Sequence, residues 1–212
     1  MYAAHRAAGG ITSIYRQIGM GSEMLVRQIL QDHLGLSAEQ ANCSYEITTS
    51  AGRKRTLKLD ARIDPADIDD SAKRERVSAW LQSAAQHLSL EARISAAMRG
   101  IVIEVRQGYK SKDAKRQNAD MANAAAAYTR GYLPVLAIMS NQIDGDIVER
   151  YERGRWLVLR GSVGGGNLFS TYAFINEIAE YDLARFFQRN STQLKTFTED
   201  VLETLLRADD DA

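Results

Sequence analysis

Disulfide chemistry is closed to this chain, because only one of its 212 residues, Cys43, is a cysteine. A lone thiol cannot bridge within the chain, so packing must hold the core, and the thiol suits a reducing compartment. Histidine is almost as scarce. His5, His33 and His87 are too far apart to follow metal-ligand spacing, and the last two fall in amphipathic stretches. Zinc sites and Ser-His-Asp chemistry are therefore disfavoured. Proline occurs only at Pro65 and Pro134, and no low-complexity tract or repeat divides the chain. The most apolar stretch, Leu133 to Met139, falls far short of the ~20 residues that a membrane span needs. Residues 1–10 lack the apolar centre of a secretory signal. A cytoplasmic protein with no membrane partner is expected. Net charge is also missing: 27 Lys and Arg balance 27 Asp and Glu. Affinity for a polyanion would have to come from local clusters.

What remains is ordinary globular material, 45% hydrophobic and 25% charged, enough for one domain over 1–212. The opening residues, with Gly9 and Gly10, read as a loose arm. Helical spacing of Met24, Leu25, Gln28, Ile29 and His33 predicts a helix from Ser22 to Leu34. Ser44 to Thr49 and Arg55 to Ile63 read as a hairpin about Ala51-Gly52-Arg53-Lys54. In its second strand Leu57, Leu59, Ala61 and Ile63 share one face, and Lys58, Asp60 and Arg62 the other. Ser71 to Met98 reads as a helix with Val77, Trp80, Leu81, Ala84 and Leu88 inward. Ile101 to Arg106 is a β-branched strand. Then come an alanine-dense helix from Asp113 to Arg130, strands at Pro134 to Ser140 and Trp156 to Leu159, and two helices at Tyr172 to Gln188 and Thr192 to Leu206. This alternation predicts an α/β fold with a mixed central sheet flanked by helices, its core at 22–140 and a helical C-terminal part at 168–208.

The chemistry concentrates in Ile103-Glu-Val-Arg-Gln-Gly-Tyr-Lys-Ser-Lys-Asp-Ala-Lys-Arg-Gln-Asn-Ala-Asp120. Glu104 and Arg106 share a strand face, and an acid at the end of a buried strand is costly unless a cation meets it. Arg106, Lys110, Lys112, Lys115 and Arg116 follow it against one acid, Asp113. Asp60 supplies a second carboxylate on its own strand. If the strands are neighbours, the two acids can share one hard cation such as magnesium, which prefers oxygen ligands. Plainer readings stand beside this one: Glu104 as a strand-end acid paired with an arginine, Asp60 as an exposed strand acid, and the basic run as a solvated helix start. The turn bases Arg53 to Arg55 read as solubilising. Gly164-Gly165-Gly166 lacks the Gly-Lys-Ser/Thr of a phosphate loop and reads as a connector. Cys43 reads as a buried thiol.

The element order from about Ser22 to Ser140, the run from Ile103 to Asp120 and the early run from Gly10 to Glu23 together resemble the PD-(D/E)xK nuclease superfamily, and within it type II restriction endonucleases. The resemblance implies a restriction-endonuclease-like core and site-specific hydrolysis of double-stranded DNA as a magnesium-dependent deoxyribonuclease. It also implies a homodimer. Asp60 and Glu104 become the Mg2+ ligands, Arg106 and Lys110 the charge-stabilising catalytic residues, and Gln107, Lys110, Lys112, Lys115 and Arg116 the DNA contacts. Glu23 matches the acid that members often carry on the helix before the sheet, and Asp64, in phase with Asp60, is the other acid in reserve. Two departures stand out. Leu59 rather than Pro precedes Asp60, and Arg106 occupies the motif's lysine position. Arginine keeps its charge but cannot act as a base, so the lysine's work falls to Lys110 or Lys112, or Gln107 takes its place. The alternative is a DNA-binding protein that has kept the core without cleaving.

Overall fold

The first helix, α1 (Tyr2–Leu34), is much longer than the one expected from residue 22, and it takes in the stretch that read as a loose arm. It closes at Gly35, where φ is +73° and the N–H returns to Gln31 O at 3.0 Å, a turn that glycine adopts without a Cβ penalty. The computed structural model describes residues 2–48, 52, 54–108 and 114–207; the side chains of residues 2–11, 47, 48, 55, 57, 114–116 and 205–207 lie outside that description. Val26, Ile29, Leu30 and Leu34 face the core, whereas Met24, expected on the inward stripe, is exposed.

A hairpin follows, β1 (Cys43–Thr48) and β2 (Lys54–Leu59), antiparallel with Cys43 opposite Leu59. The single strand expected from Arg55 to Ile63 is broken at Asp60. Beyond it a separate strand, β3 (Ala61–Ile63), leaves the hairpin for the main sheet. The expected common face breaks with it. Leu59 packs in one core cluster, while Ala61 and Ile63 pack in the other. Changing partners forces a bend, and a bend resets which way the alternation points.

Asp64 then caps a short 3-10 helix (Pro65–Asp67). In α2 (Ser71–His87) the N-cap Asp70 accepts from Lys73 N–H, and Val77, Trp80, Leu81, Ala84 and the C-cap Leu88 are buried as the periodicity requires. The helix does not continue to Met98. Ser89 turns with φ +50°, and a short α3 (Ala92–Ala96) follows. The rest alternates: β4 (Gly100–Arg106), α4 (Ala114–Tyr128), β5 (Tyr132–Ile138), α5 (Gly145–Arg153) and β6 (Leu157–Leu159), ending in α6 (Thr171–Ile178) and α7 (Leu183–Arg207). Helix α5, set by its N-cap Asp144, has no counterpart in the sequence reading. The last two helices part at 179–182 rather than near 190, where Glu180 takes φ +56°.

The protein is thus mixed α/β, with seven α-helices and a four-stranded mixed sheet among the described residues. The sheet order is β3-β4-β5-β6. β3 runs antiparallel to β4, and β4, β5 and β6 are parallel, joined through α4 and α5 because parallel neighbours need a crossover. One face packs on α1, α2, α6 and the start of α7. The other packs on α4, α5 and the hairpin. Strand β5 is buried at every residue, which explains its unbroken apolar run. Among the described residues, no helix is long and apolar enough to cross a membrane.

Candidate active site

Asp60 stands where the chain passes from hairpin to sheet. Its N–H donates to Ile103 O at 2.9 Å, one residue out of step with the β3–β4 ladder, in which Ala61 faces Ile103. Its carboxylate Oδ2 accepts from Val105 N–H at 2.7 Å, so a side chain does the work of a ladder carbonyl. From α1, Arg27 Nε donates to the Asp60 carbonyl at 2.9 Å. Its N–H, its carboxylate and its carbonyl are each bonded to a different residue, so Asp60 is held in place from three directions. Because Val105 follows Glu104 directly, the Asp60 carboxylate lies against the β4 backbone next to Glu104.

Burial pushes the Asp60 carboxyl up to about 6, against the Val105 hydrogen bond that lowers it; Glu23 of α1 pushes the same way as burial, and Arg106 and Arg27 oppose it. Glu23 and Asp60 are therefore close enough to repel. Glu104 is 7% exposed. It lies on the α4 face of β4, as alternation from Val102 requires. The Arg106 guanidinium forms an ion pair with Glu104 Oε1 and reaches Asp120 Oδ1 of α4 at 3.6 Å, with all three side chains almost fully enclosed. Asp120 Oδ2 in turn accepts from the Tyr151 hydroxyl of α5 at 2.5 Å. The paired reading of Glu104 is thus present in the structure, and the Asp60 carboxylate is bonded to the β4 backbone one residue further along.

Asp64 lies at the other end of β3, about 13 Å along an extended chain from Asp60. Its oxygens accept from Ala66 N–H (3.1 Å), the Tyr132 hydroxyl (3.0 Å) and the Arg99 guanidinium (3.2 Å). The structure does not bring it to Glu104. Gln107 follows Arg106, with its Nε2 enclosed and no acceptor among the described residues. Lys110 and Lys112 lie outside the described residues. Lys115 and Arg116 are on the first turns of α4, and their side chains lie outside the description.

Sequence reasoning missed Asp120, Tyr151, Gln117 and Arg150. Arg150 donates to Gln117 Oε1 at 2.9 Å and to Asn118 Oδ1 at 2.6 Å, tying α5 to α4. One signal was legible. Gln117, Asp120, Ala124 and Ala127 fall at helical spacing on one stripe, and all four are buried. A carboxylate within a stripe of alanines has to meet a partner.

The donors fit magnesium in kind. They are hard carboxylate oxygens, two to a site, which suits an ion that keeps several of its waters. They fit less well in readiness, because Arg106 already holds Glu104 Oε1 and Val105 N–H holds Asp60 Oδ2. Among the described residues, no group of three or more His, Cys, Asp and Glu side chains is gathered as a metal site. Comparison with known protein families, with curated proteins and with solved structures finds no match for this chain.

Proposed function

We propose that this protein is a divalent-metal-dependent endonuclease of double-stranded DNA, of the type II restriction class. The observation that carries the reading is the hydrogen bond from Val105 N–H to the Asp60 carboxylate, which sets that acid on the β4 backbone beside Glu104 where the chain bends from hairpin to sheet. Element order supports it. Helix, hairpin, bent strand, the inserted helices α2 and α3, β4, α4 and β5 follow in the order on which the resemblance rests. Asp60 and Glu104 would hold Mg2+, which when bound supplies Lewis acidity toward the phosphoryl oxygens. Arg106, fixed beside both acids, offsets negative charge that builds on the phosphate. Gln107 and the basic stretch from Lys110 to Arg116 hold the DNA backbone, where most duplex affinity arises.

The test is cleavage of supercoiled plasmid in Mg2+ and in EDTA. Nicked and linear products in Mg2+ alone are expected, and Glu104→Gln should lose them while keeping duplex binding at low salt. A Glu104→Gln protein that cuts at the parental rate removes this reading.

The Arg106 ion pairs favour a second reading. An arginine shared by Glu104 and Asp120 neutralises the carboxylate that a metal would need. A DNA-binding protein that does not cleave would show this arrangement permanently. Duplex binding without cutting in Mg2+, Mn2+ or Co2+ selects that reading.

A further inference from the structure

Three consecutive glycines stand on the surface after β6, and the chain itself gives a reason for only the middle one. Gly165 has φ +107°, a conformation that glycine adopts without strain. Gly164 and Gly166 lie outside the left-handed region. Among the described residues, a Cβ on Gly164 would meet nothing within 4 Å, and one on Gly166 would meet only Phe169, at an ordinary 3.9 Å. A missing side chain of this kind is of use where another body approaches the backbone closely. The stretch is also held rather than slack. Gly166 O accepts from Phe169 N–H at 2.9 Å and from Ser170 N–H at 3.1 Å. Asn167 O accepts from the Trp80 indole at 3.1 Å, and Ser162 O from the Ser170 hydroxyl at 2.5 Å. Between these anchors, residues 163–166 are all exposed.

Sheet register fixes where this stretch begins. Arg106 of β4 stands opposite Ile138 of β5, and Ala137 stands opposite Leu159 of β6. The next residue, Arg160, therefore falls in the row of Arg106 and Ile138, two strands and about 10 Å from Arg106. Arg160 stays extended, its N–H donating to Phe169 O at 2.8 Å and its carbonyl accepting from Thr171 N–H at 2.9 Å. Alternation puts it on the face of Val158, Ile138 and Val102, which is also the face of Glu104. Arg160 is exposed, and among the described residues no acid pairs with it. Gly161 follows, its N–H donating to Ser140 O at 3.2 Å, so tight on the end of β5 that a Cβ would collide with the Ser140 backbone. The glycine run thus springs from the same end of the sheet as the Glu104 carboxylate.

We propose that Arg160 and the bare backbone of Gly164 to Gly166 grip the DNA sugar-phosphate backbone beside the point of cleavage. The inference rests on the duplex-DNA reading above and adds a contact outside the basic stretch from Lys110 to Arg116. An exposed guanidinium gives a phosphate two N–H donors at once. Among the described residues, nothing accepts from the N–H groups of Gly164, Gly165 and Gly166. Successive backbone N–H groups of this kind suit phosphate oxygens. Each DNA strand carries a phosphate about every 3.4 Å of helix axis. A duplex with one phosphate at Asp60 and Glu104 therefore brings others to the row end where Arg160 stands.

Duplex binding by the full chain in EDTA, read as fluorescence anisotropy from ~50 to ~200 mM salt, tests this without cleavage. Log affinity falls with log salt by about 0.9 for each phosphate contact. Arg160→Gln should therefore bind more weakly at low salt, with a slope smaller by about one, so that its gap from the parent closes by about 3.5-fold over that range. The loss should be equal for duplexes of unrelated sequence. Gly164→Val should weaken binding several-fold with no lower melting temperature, since the added side chain meets nothing in the protein. Parental affinity and slope in Arg160→Gln, or parental affinity in Gly164→Val, overturns the grip and leaves the DNA reading standing. A loss confined to particular sequences overturns it too, by making Arg160 a base contact. A parent chain that binds no duplex at low salt, in EDTA or in Mg2+, removes the DNA reading itself and this inference with it.

Discussion

Two aspartates bracket the three-residue strand β3, and the fold treats them in opposite ways. Asp64 is 4% exposed, and its two oxygens receive a backbone N–H, a tyrosine hydroxyl and a guanidinium. Asp60 is half-buried, and among the described residues its carboxylate receives one hydrogen bond, from Val105 N–H. It faces an acid, Glu23, and its carboxyl is pushed up to about 6, chiefly by burial. The side chains are identical and stand an even number of residues apart in the sequence, so chemistry and local alternation cannot separate them. The supply of donors does. Asp64 is a closed structural joint, whereas Asp60 is held where its own charge is unwelcome.

That contrast can be broken at three points. The largest effect should come from Arg106→Met, which withdraws the cation shared by Glu104 and Asp120 and leaves enclosed carboxylates behind. A loss of about 3–5 kcal/mol is expected in urea unfolding. A loss under 1 kcal/mol would show that the ion pairs are not structural. Next comes Asp64→Ala, which strands the Tyr132 hydroxyl and the Ala66 N–H. It should cost about 2–3 kcal/mol and leave plasmid cleavage unchanged well below the melting temperature. Lost cleavage in a folded Asp64→Ala protein would erase the distinction between the two aspartates.

The smallest effect should have the opposite sign. Folding raises the Asp60 pKa from 3.8 to about 6, so the fold favours the protonated form. The stability this contributes is complete below pH 3.8 and is lost as pH rises through about 6. Asp60→Asn keeps an acceptor for Val105 N–H without the charge. Its melting temperature should exceed that of the parent by a few degrees near pH 8, and the gap should narrow as pH falls through 6 toward 4. A gap that does not change with pH would mean that Asp60 carries no buried-charge penalty. Cleavage should vanish in the same variant.

Much of this was legible along the chain. The inward stripe of α2 and the apolar run of β5 follow from spacing and composition, and the mixed α/β class follows from the alternation of elements. Errors fell where a local pattern met a tertiary demand. Arg55 to Ile63 alternates without fault, and nothing local reveals that the chain changes partners at Asp60. Helix α5 is short and its charges outnumber its apolar residues, so its buried face of Ile147, Val148 and Tyr151 shows only once β6 is placed beside it. On α1, the stripe from Tyr15 to Ile29 is continuous in sequence, and only the packing shows that its inner end alone meets a core.

Taken alone, the order of residues determined which segments could be strand or helix, where the acids and bases cluster, and that no disulfide could form within the chain. These are properties of composition and period, which act over a few neighbours. The tertiary structure decided which partner each carboxylate meets. It drew Asp60 onto β4 through Val105 N–H, sent Asp64 to Arg99 and Tyr132, and joined Arg106 to Asp120 across α4. Each of those choices depends on partners 14 to 68 positions away. A charge inside a protein is governed by what surrounds it in space, which no local pattern records.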